Sequence, residues 1–128
     1  MDRRNMRSPL ARATGLGSAK KGVGHWWAER VSAIALIPLT LWFFASIITH
    51  TASDYVTFIT WLRTPLAALL MIFLLPALFY HTALGLQVVI EDYVHSRAKF
   101  AILIAVWLSC IALAVSGIVA TLVVAFGN

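Results

Sequence analysis

After Arg30 the sequence has almost no charge left. The remaining 98 residues (128 − 30) hold three acids, Asp54, Glu91 and Asp92, and three bases, Arg63, Arg97 and Lys99, so their formal charges cancel. Over the whole chain 12% of residues are charged and 61% hydrophobic, against about 25% and 45–50% in soluble domains. Such a chain belongs in a membrane. The polar N-terminal stretch of about thirty residues cannot bury a core of useful size, which excludes a soluble catalytic domain. Cysteine is nearly missing as well. Cys110 is the single one and lies deep in an apolar run, so the chain builds no internal disulfide, no four-thiolate cluster and no thiol zinc site. Cys110 reads as a small apolar filler. No internal repeat is visible, and an odd number of apolar segments argues against an inverted-repeat transporter within one chain.

What charge there is collects at one end. Arg3, Arg4, Arg7, Arg12, Lys20, Lys21 and Arg30, set against Asp2 and Glu29, account for the net charge of +5. A secretory signal peptide fits poorly, because the polar stretch before the first apolar run is too long and further apolar segments follow. A mitochondrial transit segment is the lesser reading of this Arg-rich start. Nucleic acid is set aside: no stacking aromatics are interleaved before Trp26, and basic residues beside a first span are what membrane orientation alone demands.

The three uncharged stretches, Val31 to Ser53, Thr64 to Ile90 and Phe100 to Asn128, each exceed the roughly 20 apolar residues that cross a bilayer as a helix. Lipid offers no partner for backbone groups, so helices satisfy them internally. The expected fold is all-α: a basic segment over residues 1–30, then a membrane domain over 31–128 with helices at about 31–53, 64–92 and 99–126. Thr64-Pro65 forms a cap and first-turn pair for the second span. Pro38 and Pro76 each remove a helical hydrogen bond and predict a bend. Between the first two spans, Tyr55, Phe58 and Trp61 or Leu62 recur at helical spacing, as in a short helix lying in the interface. Seven bases precede the first span and Arg97 and Lys99 follow the second, whereas Arg63 alone lies between the first two. The positive-inside rule then puts the N-terminus in the cytoplasm and the C-terminus across the membrane.

Of the four histidines, His25, His50 and His95 fall at span ends and His81 alone lies within a span. Ten residues of helix at about 1.5 Å each put its backbone roughly 15 Å from Glu91, near mid-membrane. An ionisable group there is costly and reads as functional, with a partner to be named. Ala77 and Gly85, at i−4 and i+4, make one face small, imidazole, small. A porphyrin needs an axial imidazole and little bulk around it, which this face supplies. Close helix packing, with His81 bonded to a neighbouring carbonyl, remains the alternative. If a haem with two axial histidines sits here, the second must come from a partner membrane protein, since no other histidine of this chain reaches that depth. Arg30, at the end of the first span, can snorkel to a propionate or face lipid headgroups.

At the other end of the second span, Glu91-Asp92-Tyr93-Val94-His95 gathers two carboxylates, a phenol and an imidazole at the membrane surface. A quinone headgroup needs protons and hydrogen bonds while its tail stays in lipid, and an interfacial tyrosine can donate. Acidic helix ends and anchoring tyrosines are equally ordinary.

The run from His81 to Val94, with His81, Gly85, Gln87 and Asp92-Tyr93, resembles the second-helix motif of the D-type hydrophobic membrane anchors of succinate dehydrogenase, respiratory complex II. The stretch from Gly22 to Ala33, including His25-Trp26-Trp27-Ala28-Glu29-Arg30, is similar to that family's approach to its first helix. The resemblance covers about Gly22 to Val94. It implies that His81 is one axial ligand of haem b, with the second from the partner anchor, the C-type one, and that Gly85 packs on the haem. It further implies that Arg30 lies near the propionates, that Tyr93 hydrogen-bonds ubiquinone and that Asp92 belongs to the surroundings of that site. A flavoprotein subunit would oxidise succinate and an iron–sulfur subunit would carry the electrons, so nothing in this chain oxidises succinate. The basic tail would dock on anionic lipid or on the iron–sulfur subunit, and the bacterial inner membrane is the expected location ahead of the mitochondrial one. Two rivals stand beside this: a small non-redox oligomeric membrane protein, holin-like or channel-forming, and a fumarate reductase-type anchor.

Overall fold

The computed structural model describes residues 19–127, with side chains from Gly22 onward. The basic residues between Asp2 and Arg12, and with them the docking expected of the tail, lie outside the described residues. Four helices follow one another: α1 (Ala19–His50), α2 (Tyr55–Leu62), α3 (Pro65–Tyr93) and α4 (Ala98–Phe126). Three of them are long and apolar enough to cross a membrane, over Gly22–His50, Pro65–Tyr93 and Ala98–Phe126. Among the described residues there is no strand.

The second and third spans begin and end where the loss and return of charge put them. The first does not: α1 starts at Ala19 rather than Val31 and stops at His50 rather than Ser53. A helix closes its own backbone hydrogen bonds, so it need not end where the side chains turn polar. Arg30 is therefore an interior residue of α1 and not its first turn. The helices also run unbroken through Pro38 and Pro76. Each proline withholds one N–H, from the carbonyls of Ile34 and Ile72, and the bonds on either side carry the helix past the gap.

The two short connections are capped as their residues suggest. Asp54 accepts from the Thr57 backbone N–H at 3.2 Å and starts α2. Thr64 accepts from Ala67 N–H at 3.4 Å and, with Pro65 in the first turn, starts α3. Hydrogen bonds from Thr57, its side chain before its backbone, hold the Asp54 carboxyl below its ordinary value of 3.8.

Helix α3 is the middle of the domain, packed on α4 along one side and on α1 along the other, and α2 lies across the ends of α3 and α4. Small residues let the backbones approach. Ala67, Ala68 and Ala83 of α3 are buried, as are Leu74 and Leu84. Gly117 of α4 comes so close to α3 that an added Cβ would stand 2.9 Å from Leu75 Cδ1. At the α2 end, Arg63 donates from Nε to the Val124 carbonyl at 3.1 Å and from Nη2 to the Gly127 carbonyl at 2.9 Å. A cation thus sits on the free carbonyls that end α4, where the helix dipole is negative. Trp61 of α2 stacks on His50 with ring centres 4.6 Å apart and lies 6.2 Å from Trp42, tying α2 to α1.

Among the described residues no large side chain is fully buried, and long apolar side chains line the outside of every long helix, among them Ile48, Phe44, Leu41, Phe73 and Ile104. In water that surface would be an aggregation site. In lipid, or against other apolar helices, it costs nothing.

Candidate haem and quinone sites

Positions Ala77, His81 and Gly85 share one face of α3, one helical turn apart. His81 is half-buried, and the face it occupies meets α1. Its Nδ1 lies 2.9 Å from the hydroxyl oxygen of Ser32. Ser32 is itself buried, and its hydroxyl donates to the Glu29 carbonyl one turn back at 3.0 Å. Among the described residues no hydrogen bond engages Nε2 of His81. One imidazole nitrogen is therefore fixed by the neighbouring helix while the other is uncommitted.

Beside this pair an open groove of about 670 Å³ runs between α1 and α3, walled by Trp27, Ala28, Ser32 and Ala35 on one side and Pro76, Ala77 and Tyr80 on the other. The volume is that of a cofactor pocket, roughly 300–1,000 Å³. Its walls carry small side chains at Ala28, Ala35 and Ala77. Gly85 continues the open face: a Cβ built there meets no atom within 4 Å. Nothing in the packing of this chain demands a glycine at 85. Ser32, but not the His81 ring, belongs to the wall of this groove; an imidazole with one nitrogen uncommitted has the donor chemistry that a haem iron would need.

The candidate residues do not all converge. Arg30 is two residues from Ser32, about 3 Å of rise, so it comes within one turn of the level of His81. The same two residues turn it about 200° away around α1. Its guanidinium lies over the Trp26 ring, 5.2 Å from the centroid, and the residue is exposed. Asp92 and Tyr93 close α3, with Tyr93 twelve residues or about 18 Å of rise from His81. Tyr93 is 81% exposed, and among the described residues neither side chain has a hydrogen-bond partner. His81 and the Asp92–Tyr93 pair thus stand at two separate places on one helix.

Three features have roles that the residues alone do not reveal. Ser32 is an ordinary hydroxyl inside a span until the pairing of α1 with α3 puts it against His81. Gln87 Nε2 donates to Glu91 Oε1 at 2.8 Å while Trp107 Nε1 donates to Gln87 Oε1 at 3.1 Å, a bridge from α4 to the acidic end of α3. His25 has a buried Nε2 without a hydrogen-bond partner, and it shares a face of α1 with Glu29 and Ser32. The only hint in the sequence is polarity at helical spacing. Cys110 behaves as expected, buried and free between α3 and α4. Among the described residues no three metal-binding side chains cluster.

A sequence model described as succinate dehydrogenase/fumarate reductase transmembrane subunit matches residues 4–125. Among curated proteins, the succinate dehydrogenase hydrophobic membrane anchor subunit of Rickettsia bellii is 36% identical over 118 residues, 91% of this chain and 94% of the relative. Its counterpart in Rickettsia conorii is 30% identical over 118 residues, again 91% of this chain and 94% of the relative. That of Paracoccus denitrificans is 30% identical over 97 residues, 76% of this chain and 75% of the relative. No solved structure matches significantly.

Proposed function

The chain belongs to the succinate dehydrogenase/fumarate reductase transmembrane subunit family, and from that premise we propose that it anchors a succinate:ubiquinone oxidoreductase, sharing haem b with a partner anchor and helping to bind ubiquinone. The single observation that carries this reading is His81, held at Nδ1 by Ser32 with Nε2 uncommitted among the described residues. His81 would hold the haem iron from this chain, with the other ligand coming from the partner anchor. Ala77 and Gly85 would leave room for it on the face of α3, and Arg30 would approach a propionate only by leaving the Trp26 ring and turning around α1. Bound haem would supply either a brace between the two anchors or a one-electron store. The non-redox, holin-like reading gives way to family membership.

Tyr93 donates its phenolic hydrogen bond to a quinone carbonyl, and Asp92 keeps the surroundings polar and open to water. Support comes from the exposure of both at the end of α3. The charge asymmetry puts this end, and the N-terminus, on the cytoplasmic side of a bacterial inner membrane. There, electrons drawn from succinate by the flavoprotein arrive through the iron–sulfur subunit, and protons come from the same side. The wide apolar exteriors of α1 and α4 face lipid and the partner anchor.

The test is a reduced-minus-oxidised spectrum of the complex purified with its co-expressed partners. A b-type band is expected, and it is lost from the His81→Ala complex. A band that persists in that variant, or that is missing from the unsubstituted complex, overturns the assignment.

A further inference from the structure

We propose that Ser32 selects the tautomer of His81, and so acts as a positioning residue for the ligand nitrogen; the inference rests on the haem reading above. Proton counting decides between the two tautomers. A serine hydroxyl has one proton to donate and two lone pairs to accept with. Ser32 Oγ stands 3.0 Å from the Glu29 carbonyl and 2.9 Å from His81 Nδ1. A carbonyl can only accept. If the hydroxyl proton points to Glu29, the oxygen can only accept from the ring, so Nδ1 carries the hydrogen and Nε2 keeps its lone pair.

The opposite arrangement sends the hydroxyl proton to Nδ1. The ring hydrogen then sits on Nε2, for which the described residues supply no acceptor. That arrangement makes one hydrogen bond where the first makes two, and it leaves a polar N–H without a partner among the described residues. The first arrangement also lines up Nδ1–H, Oγ–H and the carbonyl in one direction, so each bond polarises the next. Burial of Ser32 keeps water from competing for either bond. The contact from α1 thus leaves His81 of α3 with a lone pair on its other nitrogen.

Such a hydrogen bond does more than orient the ring. An acceptor on Nδ1–H raises the basicity of the ligand, which favours the oxidised iron over the reduced. Losing it is expected to weaken that preference about tenfold, at the lower end of the effect of such supporting partners. For a one-electron couple this is a rise in midpoint potential of about 59 mV.

The experiment compares Ser32→Ala, Ser32→Thr and Ser32→Val in the complete complex, by redox titration of the haem band and by electron paramagnetic resonance of the oxidised haem. Ser32→Thr keeps the hydroxyl and should match the unsubstituted complex. Ser32→Ala and Ser32→Val should shift the potential upward and move the low-spin g values. The Thr and Val variants differ by a hydroxyl against a methyl, so that pair decides the matter even where Ser32→Ala fails to assemble. Haem lost from the Val variant and kept in the Thr variant supports the proposal. Equal potentials and equal g values in the two overturn it while leaving the haem assignment intact. That assignment fails separately, if the unsubstituted complex has no b-type band or His81→Ala retains one.

Discussion

The tightest helix contact around a glycine is Gly117 against Leu75, and it yields a double-substitution test of how α4 is held to α3. A Cβ at 117 would lie 2.9 Å from Leu75 Cδ1 and 3.2 Å from Cδ2, whereas comfortable carbon contacts are about 3.5–4.0 Å. The shortfall of roughly half an ångström or more must be taken up by the leucine side chain or by the helix spacing. Overpacking of this kind costs about 1–3 kcal/mol, and the better helix propensity of alanine over glycine returns about 1 kcal/mol. Gly117→Ala should therefore cost between about 0 and 2 kcal/mol, and Gly117→Leu distinctly more. Because the Leu75 side chain is in the way, Leu75→Ala should relieve the second change. The coupling between Gly117→Leu and Leu75→Ala should be favourable by about 0.5–3 kcal/mol, the range seen for residues in direct contact. Equilibrium unfolding of the parent, the two single variants and the double variant in mixed micelles measures it. Strict additivity would refute the contact and with it the close approach of α3 to α4.

Tyr93→Phe in the intact complex should weaken quinone affinity and slow quinone reduction by about 2–10-fold, as for the loss of one neutral hydrogen bond of about 0.5–1.5 kcal/mol, while the haem spectrum stays unchanged; quinone kinetics identical to the unsubstituted complex would remove Tyr93 from the site. Arg63→Met keeps the apolar stem and removes both bonds to the end of α4; on an exposed surface the expected loss is about 1 kcal/mol, with faster hydrogen exchange over the last turn of α4, and unchanged exchange there is the contrary result. Asp54 has a folded value below 3.8 because of Thr57. Its contribution to α2 is therefore present above the unfolded value and fades as pH falls through the lower folded one. Protection of the Thr57 amide should drop in that acid window, and Asp54→Asn should abolish the pH dependence while keeping a cap.

Family membership and the separation of His81 from Tyr93 along α3 fit a division of roles on one helix. Mid-span, the chain has an imidazole, small residues and an apolar groove; at the surface it has a phenol and carboxylates open to water. The roughly 18 Å between them is set by helical rise alone.

That separation is legible in the sequence, because it needs only a span and a count of residues. So are the three long apolar helices, the Thr64-Pro65 start of α3, the short helix between Asp54 and Arg63 and the isolation of His81 among the histidines. These are one-dimensional properties: transfer of a side chain into lipid, capping and rise per residue depend on neighbours in the chain. The same one-dimensional reading puts the start of α1 too late, at Val31, since the loss of charge marks the lipid boundary and not the end of the helix. What only the tertiary structure decided is which faces meet. Ser32 against His81, Trp107 on Gln87 and Arg63 on the carbonyls of Val124 and Gly127 each depend on the rotation of one helix against another. In helices apolar on every side, no polar stripe records that rotation, so packing between the helices has to choose it.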